Sequence, residues 1–143
     1  MRILIYLAAG MLATGAGLVS LLVVAVMIFA PNLGECIEVN NSEVYYTENV
    51  TEAEAQKLVE FVESLTAETP QEITFQLDKR GDDYLYRMCA QPIAYETDDL
   101  DASWIATETL LEQDVFPGAN VIVELCDDSM TTRKTIDESQ PEN

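Results

Sequence analysis

Between Ile3 and Ala30 the chain carries no charged side chain, and Arg2 is the only charged residue before Glu35. No soluble domain of ordinary composition contains such a run. A helix of that length rises about 42 Å, against roughly 30 Å of bilayer hydrocarbon, so it is long enough to cross a membrane with some tilt. A cleaved signal peptide is the main rival. Its apolar part runs only about 7–15 residues and ends in a small-x-small site, which Ile28-Phe29-Ala30-Pro31 does not provide. The segment therefore reads as an uncleaved single transmembrane helix, residues 1–34 with its linker. The positive N-terminus and Arg2 lie on one side of it and Glu35 and Glu38 on the other. Positive-inside then expects a cytoplasmic N-terminus in the inner (cytoplasmic) membrane and a periplasmic or extracellular C-terminal domain. Ala9, Ala13 and Gly17 recur at every fourth position, the spacing at which small residues let a second helix approach, and mark a helix-packing strip toward other transmembrane subunits. No Asp, Glu, Lys, Arg or His interrupts the run after Arg2, so the segment is not expected to relay protons.

All 26 acidic residues lie beyond this segment, with six of the seven basic ones, a formal charge of −20 from Glu35 onward. Such a domain repels phosphate backbones, which excludes nucleic acid as a partner, and it repels anionic headgroups as well. It suits a basic protein surface, or simply solubility and life at high salt. There is no histidine, so the commonest general base and metal ligand are missing. Cys36, Cys89 and Cys126 show no metal-ligand spacing. Asp98, Asp99 and Asp101 cluster, as do Asp127 and Asp128, without calcium-loop spacing. No phosphate loop, dinucleotide fingerprint or nucleophile elbow occurs. No catalytic residue, cofactor or metal site is expected.

From Glu35 to Ile136 the periodicities alternate. Glu43–Thr47 alternates as a strand, and Ile37–Val39 is a shorter candidate that turns at Asn40-Asn41. Thr51 with Glu54 forms a capping box ahead of a helix with Ala55, Leu58, Val59, Val62 and Leu65 on its apolar face. Ile73, Phe75 and Leu77 form a second strand, Lys79-Arg80-Gly81-Asp82 a hairpin turn, and Tyr84, Tyr86, Met88 and Ala90 the return strand. Asp98 or Asp101 caps a second helix with Leu100, Trp104, Leu111 and Val115 facing inward. Phe116-Pro117-Gly118 stops it, and Val121, Val123 and Leu125 follow as a fourth strand. Thr131–Ile136 is a candidate edge strand, and 137–143 a polar, disordered tail. The expected fold class is α+β, a ferredoxin-like β-α-β-β-α-β plait with strands in the order fourth, first, third, second. That order puts the first strand between Cys89 and Cys126 and forbids a disulfide between them. The face away from the helices presents Tyr45, Leu85, Arg87, Ile122 and Glu124 as a candidate partner-docking surface, with Arg87 placed to pair with Glu124.

Val44-Tyr45-Tyr46-Thr47 with Val50-Thr51-Glu52-Ala53-Glu54-Ala55, then Val115-Phe116-Pro117-Gly118, Val123-Glu124-Leu125-Cys126-Asp127-Asp128 and Lys134-Thr135-Ile136, resemble an uncharacterised small α+β module of bacterial membrane-anchored proteins. The resemblance spans Glu43 to Ile136. It implies one coherent domain and a bacterial origin, and it transfers no catalytic residue. The acid excess exceeds what that module carries, consistent with a salt-loving source. The expected function is a non-catalytic, single-pass accessory subunit of a membrane protein complex, its acidic domain docking on partner subunits. The alternative is a membrane-anchored extracytoplasmic module that binds a ligand or cation.

Overall fold

Two tight hairpins decide the topology. Asn40-Asn41 folds β1 (Glu35–Val39) back on β2 (Ser42–Tyr46), with Asn40 at φ 51°, in the left-handed region that asparagine tolerates. Gly81, at φ 66°, turns β3 (Thr74–Arg80) into β4 (Asp83–Cys89). The computed structural model describes residues 32–136. The expected transmembrane helix, with its Ala9, Ala13, Gly17 strip, and the expected 137–143 tail lie outside the described residues. Among the described residues no helix is long and apolar enough to cross a membrane.

Helix α1 (Glu52–Thr66) joins β2 to β3. Its N-terminus is the anticipated capping box, with the Thr51 hydroxyl accepting from the Glu54 N–H and the Glu54 carboxylate accepting from the Thr51 N–H. A short helix, α2 (Pro92–Glu96), and then α3 (Asp101–Leu110) lead from β4 toward β5 (Val121–Cys126). α3 widens into a π-helical turn, Leu111–Val115, closed by the Phe116 N–H donating to the Leu111 carbonyl at 2.8 Å. β6 (Thr132–Ile136) returns along β5.

The six strands lie in chain order, β1-β2-β3-β4-β5-β6, parallel at β2/β3 and β4/β5 and antiparallel elsewhere. This corrects the ferredoxin-like plait. In a plait the first long strand, here β2, is flanked on both sides by later strands. Here β1 occupies one edge of β2, leaving only the other free, and β3 takes it. β6 likewise occupies one edge of β5 and leaves the other to β4. The correction extends to handedness. α1 and the α3 segment pack on the same face of the sheet, since Tyr84 both donates to Glu54 of α1 and stacks on Phe116 just after the π-helical turn. The two parallel pairs run in opposite directions, yet both crossovers step the same way across the sheet. Helices on one face then require crossovers of opposite hand. The usual right-handed preference is broken at one of them, and that preference was what selected the plait.

The core lies between the helices and this face of the sheet. Val44, Phe75, Leu77, Tyr86, Val121, Val123 and Leu125 from the strands meet Leu58, Val62 and Leu111 from the helices, all at most 2% exposed. Each such side chain contributes about 1.5–3 kcal/mol by leaving water. Two inward assignments fail. Leu65 is 50% exposed while Thr66 beside it is buried, its hydroxyl accepting from the Asn40 amide at 3.0 Å. Leu100 stands exposed at the start of α3, and Glu108 is buried further along. Neither Asp98 nor Asp101 caps α3; Leu100 occupies the cap position without a side-chain bond.

The corrected strand order also overturns the separation expected of the cysteines. Cys89 and Cys126 are register partners on adjacent parallel strands.

Candidate functional site

The helix-free face carries the residues assigned to docking, arranged in two rows. Tyr45, Gln76, Arg87 and Glu124 are successive register partners across β2, β3, β4 and β5. Leu85 and Ile122 pair in the neighbouring row. All five expected residues thus share one face, but they are unequally accessible. Leu85 and Glu124 are buried, while Tyr45, Arg87 and Ile122 are half-buried.

Arg87 is the hub of this face. Its Nε donates to Glu124 Oε2 at 3.0 Å, Nη1 to Gln76 Oε1, and Nη2 to the Met130 carbonyl at 2.8 Å and Thr132 Oγ1 at 3.3 Å. Thr132 Oγ1 in turn donates to Glu124 Oε2 at 2.8 Å. Gln76 Nε2 donates to the Leu33 carbonyl at 2.8 Å. The charge pair is thereby hydrogen-bonded on both sides, as burial demands. Two flanking pieces of chain close over it. One is the entry at Leu33-Gly34. Gly34 sits at φ 94°, where an added Cβ would fall 2.0 Å from the Tyr46 carbonyl oxygen, so only glycine fits. The other is the β5–β6 turn, held by Asp127 Oδ1 accepting from Ser129 N, Ser129 Oγ and Thr131 N, with Met130 buried at φ 59°. Tyr45 at the rim donates to Glu43 Oε2 at 3.1 Å, and burial with that carboxylate pushes its phenol up to about 12.

A second polar cluster lies on the helix face and was missed from the sequence. Glu54 Oε1 accepts from Lys79 Nζ at 2.6 Å and from Tyr84 OH at 2.5 Å. The Lys79 ammonium also sits 4.5 Å from the Tyr84 ring centre, and that ring stacks on Phe116 at 4.0 Å. Partial burial works to raise the Glu54 carboxyl, but bonds from Lys79, Tyr84 and Thr51 outweigh it and hold the group at about 2. The signal was present in the strand alternation: Lys79 lies two residues beyond Leu77 and therefore on the same face.

The acidic clusters have local employment. Lys134 Nζ reaches Asp98 at 2.9 Å and Asp101 at 2.6 Å, tying β6 to the start of α3. Among the described residues no group of three or more acidic or cysteine side chains is arranged to hold a metal ion. A wide-mouthed cleft of about 340 Å³ opens beside the β1–β2 turn, lined by Glu38, Asn41, Glu43 and Glu72 among others.

No curated protein and no solved structure matches this chain. A family model does. AF_1994_N, described as a family N-terminal domain, matches residues 36–138, from within β1 to just past β6, and the chain belongs to that family.

Proposed function

We propose that this chain is a non-catalytic accessory subunit of a membrane protein complex. Its charge-free N-terminal segment packs beside other transmembrane subunits, and its acidic family domain docks on a basic surface of a partner on the extracytoplasmic side. The observation that carries this reading is the charge distribution. Every acid follows the apolar segment, and four of the six bases there are already paired internally: Lys79 with Glu54, Arg87 with Glu124, Arg133 with Asp127, and Lys134 with Asp98 and Asp101. Most of the remaining described acids lie at the surface, where they favour a cationic partner and accelerate encounter with it.

Purification of the full chain from native membranes in mild detergent should recover a larger assembly. Its recovery should fall when Ala13 and Gly17 are both replaced by leucine, and separately as salt is raised. A chain that purifies only as a monomer, indifferent to both changes, would falsify the proposal.

A further inference from the structure

We propose that Cys89 and Cys126 are the two halves of an intramolecular disulfide that staples β4 to β5. The two residues are register partners on adjacent parallel strands. Adjacent strands lie about 4.8 Å apart, inside the roughly 4.4–6.8 Å that a disulfide spans between Cα atoms. Parallel partners point to the same side, here the helix-free face that also carries Arg87 and Glu124. Each cysteine is the last residue of its strand, and the register of β5 against β6 is irregular between Leu125 and Cys126. The Ala90 N–H, next to Cys89, donates to the Cys126 carbonyl at 3.0 Å, so the two strand ends stay paired where the Cβ atoms must close to the approximately 3.8 Å that the bond needs. In the reduced form both thiols are held only weakly. Cys89 Sγ donates to Asp128 Oδ1 at 3.6 Å and Cys126 Sγ to the Glu124 carbonyl at 3.7 Å. The third cysteine is no competitor within the chain. Cys36 lies on β1, three strands away from β4, a lateral distance of about 14 Å.

The oxidant is a small-molecule disulfide. Cys89, the more accessible thiol, attacks one of its sulfurs as the thiolate and releases one thiol. Cys126 then attacks the Cys89 sulfur of the mixed disulfide and releases the second. Two protein thiols and one disulfide become one protein disulfide and two free thiols, with both protons passing to the leaving thiolates. Burial, then the Asp128 carboxylate, pushes the Cys89 thiol up, and burial does the same at Cys126. Closure is therefore slow at neutral pH, and its rate rises about tenfold per pH unit below the thiol pKa. The closed bond ties the ends of the segment holding α2, α3 and the π-helical turn, which restricts the unfolded chain.

The test incubates the reduced full-length chain in detergent with oxidised glutathione at alkaline pH, followed by non-reducing peptide mapping. The expected product is lighter by two hydrogens, links Cys89 to Cys126, leaves Cys36 open to alkylation, and melts several degrees higher until reductant reverses it. Cys89→Ser should abolish the linkage and the shift, while Cys36→Ser should leave both intact. Continued alkylation of both Cys89 and Cys126, a glutathione adduct that stays on Cys89, a linkage through Cys36, or a Cys89–Cys126 link that lowers the melting temperature would each overturn the proposal.

Discussion

At the scale of single residues, two charged pairs, one built on arginine and one on lysine, perform different tasks. Arg87 and Glu124 sit beneath covering chain on the helix-free face, and every bond of the guanidinium fixes a neighbour: Gln76, the Met130 carbonyl or Thr132. Lys79 and Glu54 stand nearer to solvent and tie α1 to the sheet through Tyr84. Glu54 also completes the capping box, so Glu54→Gln removes a charge from four hydrogen bonds while leaving an amide oxygen to accept some of them. The expected loss in chemical denaturation at neutral pH is about 1 kcal/mol. The pH dependence has a definite sign. The folded carboxyl is held at about 2, below its ordinary value of 4.5, so its stabilisation is fully present above 4.5 and is lost as pH falls toward 2. The gap between the parent chain and Glu54→Gln should close across that window, and a gap of constant size from pH 5 to 2 would refute the assignment. The Arg87–Glu124 pair was legible in the sequence because strand alternation placed both on one face. The Gln76 bond to Leu33 was not, because nothing in a strand pattern indicates where a flanking loop folds back.

At the scale of elements, the strands, α1 and its cap were legible, because each rests on local periodicity or a short motif. The order of the strands was not, because it turned on two weak segments. Ile37–Val39 and Thr131–Ile136 looked like optional edges, yet each hairpin consumes an edge that the plait needs. α2 was missed altogether, being five residues with one buried side chain, too short to show a helical period. The β1–β2 turn therefore matters beyond its size, and Asn40 holds it in two ways. Its backbone takes φ 51°, and its amide donates to Thr66 Oγ1 at 3.0 Å and to the Glu63 carbonyl at 3.3 Å, fastening the turn to the end of α1. These contributions separate in two variants. Asn40→Gly keeps the left-handed turn and loses the bonds, at an expected cost of about 1 kcal/mol. Asn40→Ala loses both, at about 2–3 kcal/mol. Equal losses in denaturant titrations would mean that the backbone conformation contributes nothing and the tether everything.

At the scale of the whole molecule, the charge that suits a basic partner also works against the fold when the chain is alone. From Glu35 onward 26 acids face six bases, and four of those bases are already paired. Self-repulsion of that size destabilises a small compact domain, and mobile ions relieve it. Raising ionic strength from about 0.1 M to 1 M shortens the screening length from about 10 Å to 3 Å. That change reaches the many acid–acid repulsions spread over the surface more than the close ion pairs, whose partners lie 2.6–3.5 Å apart. The balance favours salt. The melting temperature of the full chain in detergent should rise by at least about 4 °C over that range, corresponding to roughly 1 kcal/mol for a domain of about 100 residues. Sodium and potassium chloride should act alike, because screening depends on ionic strength and not on a specific cation. A melting temperature that falls with salt would show that the internal ion pairs outweigh the repulsion. A response to one cation and not the other would replace screening with a bound ion, for which the cleft at Glu38, Glu43 and Glu72 is the first place to substitute.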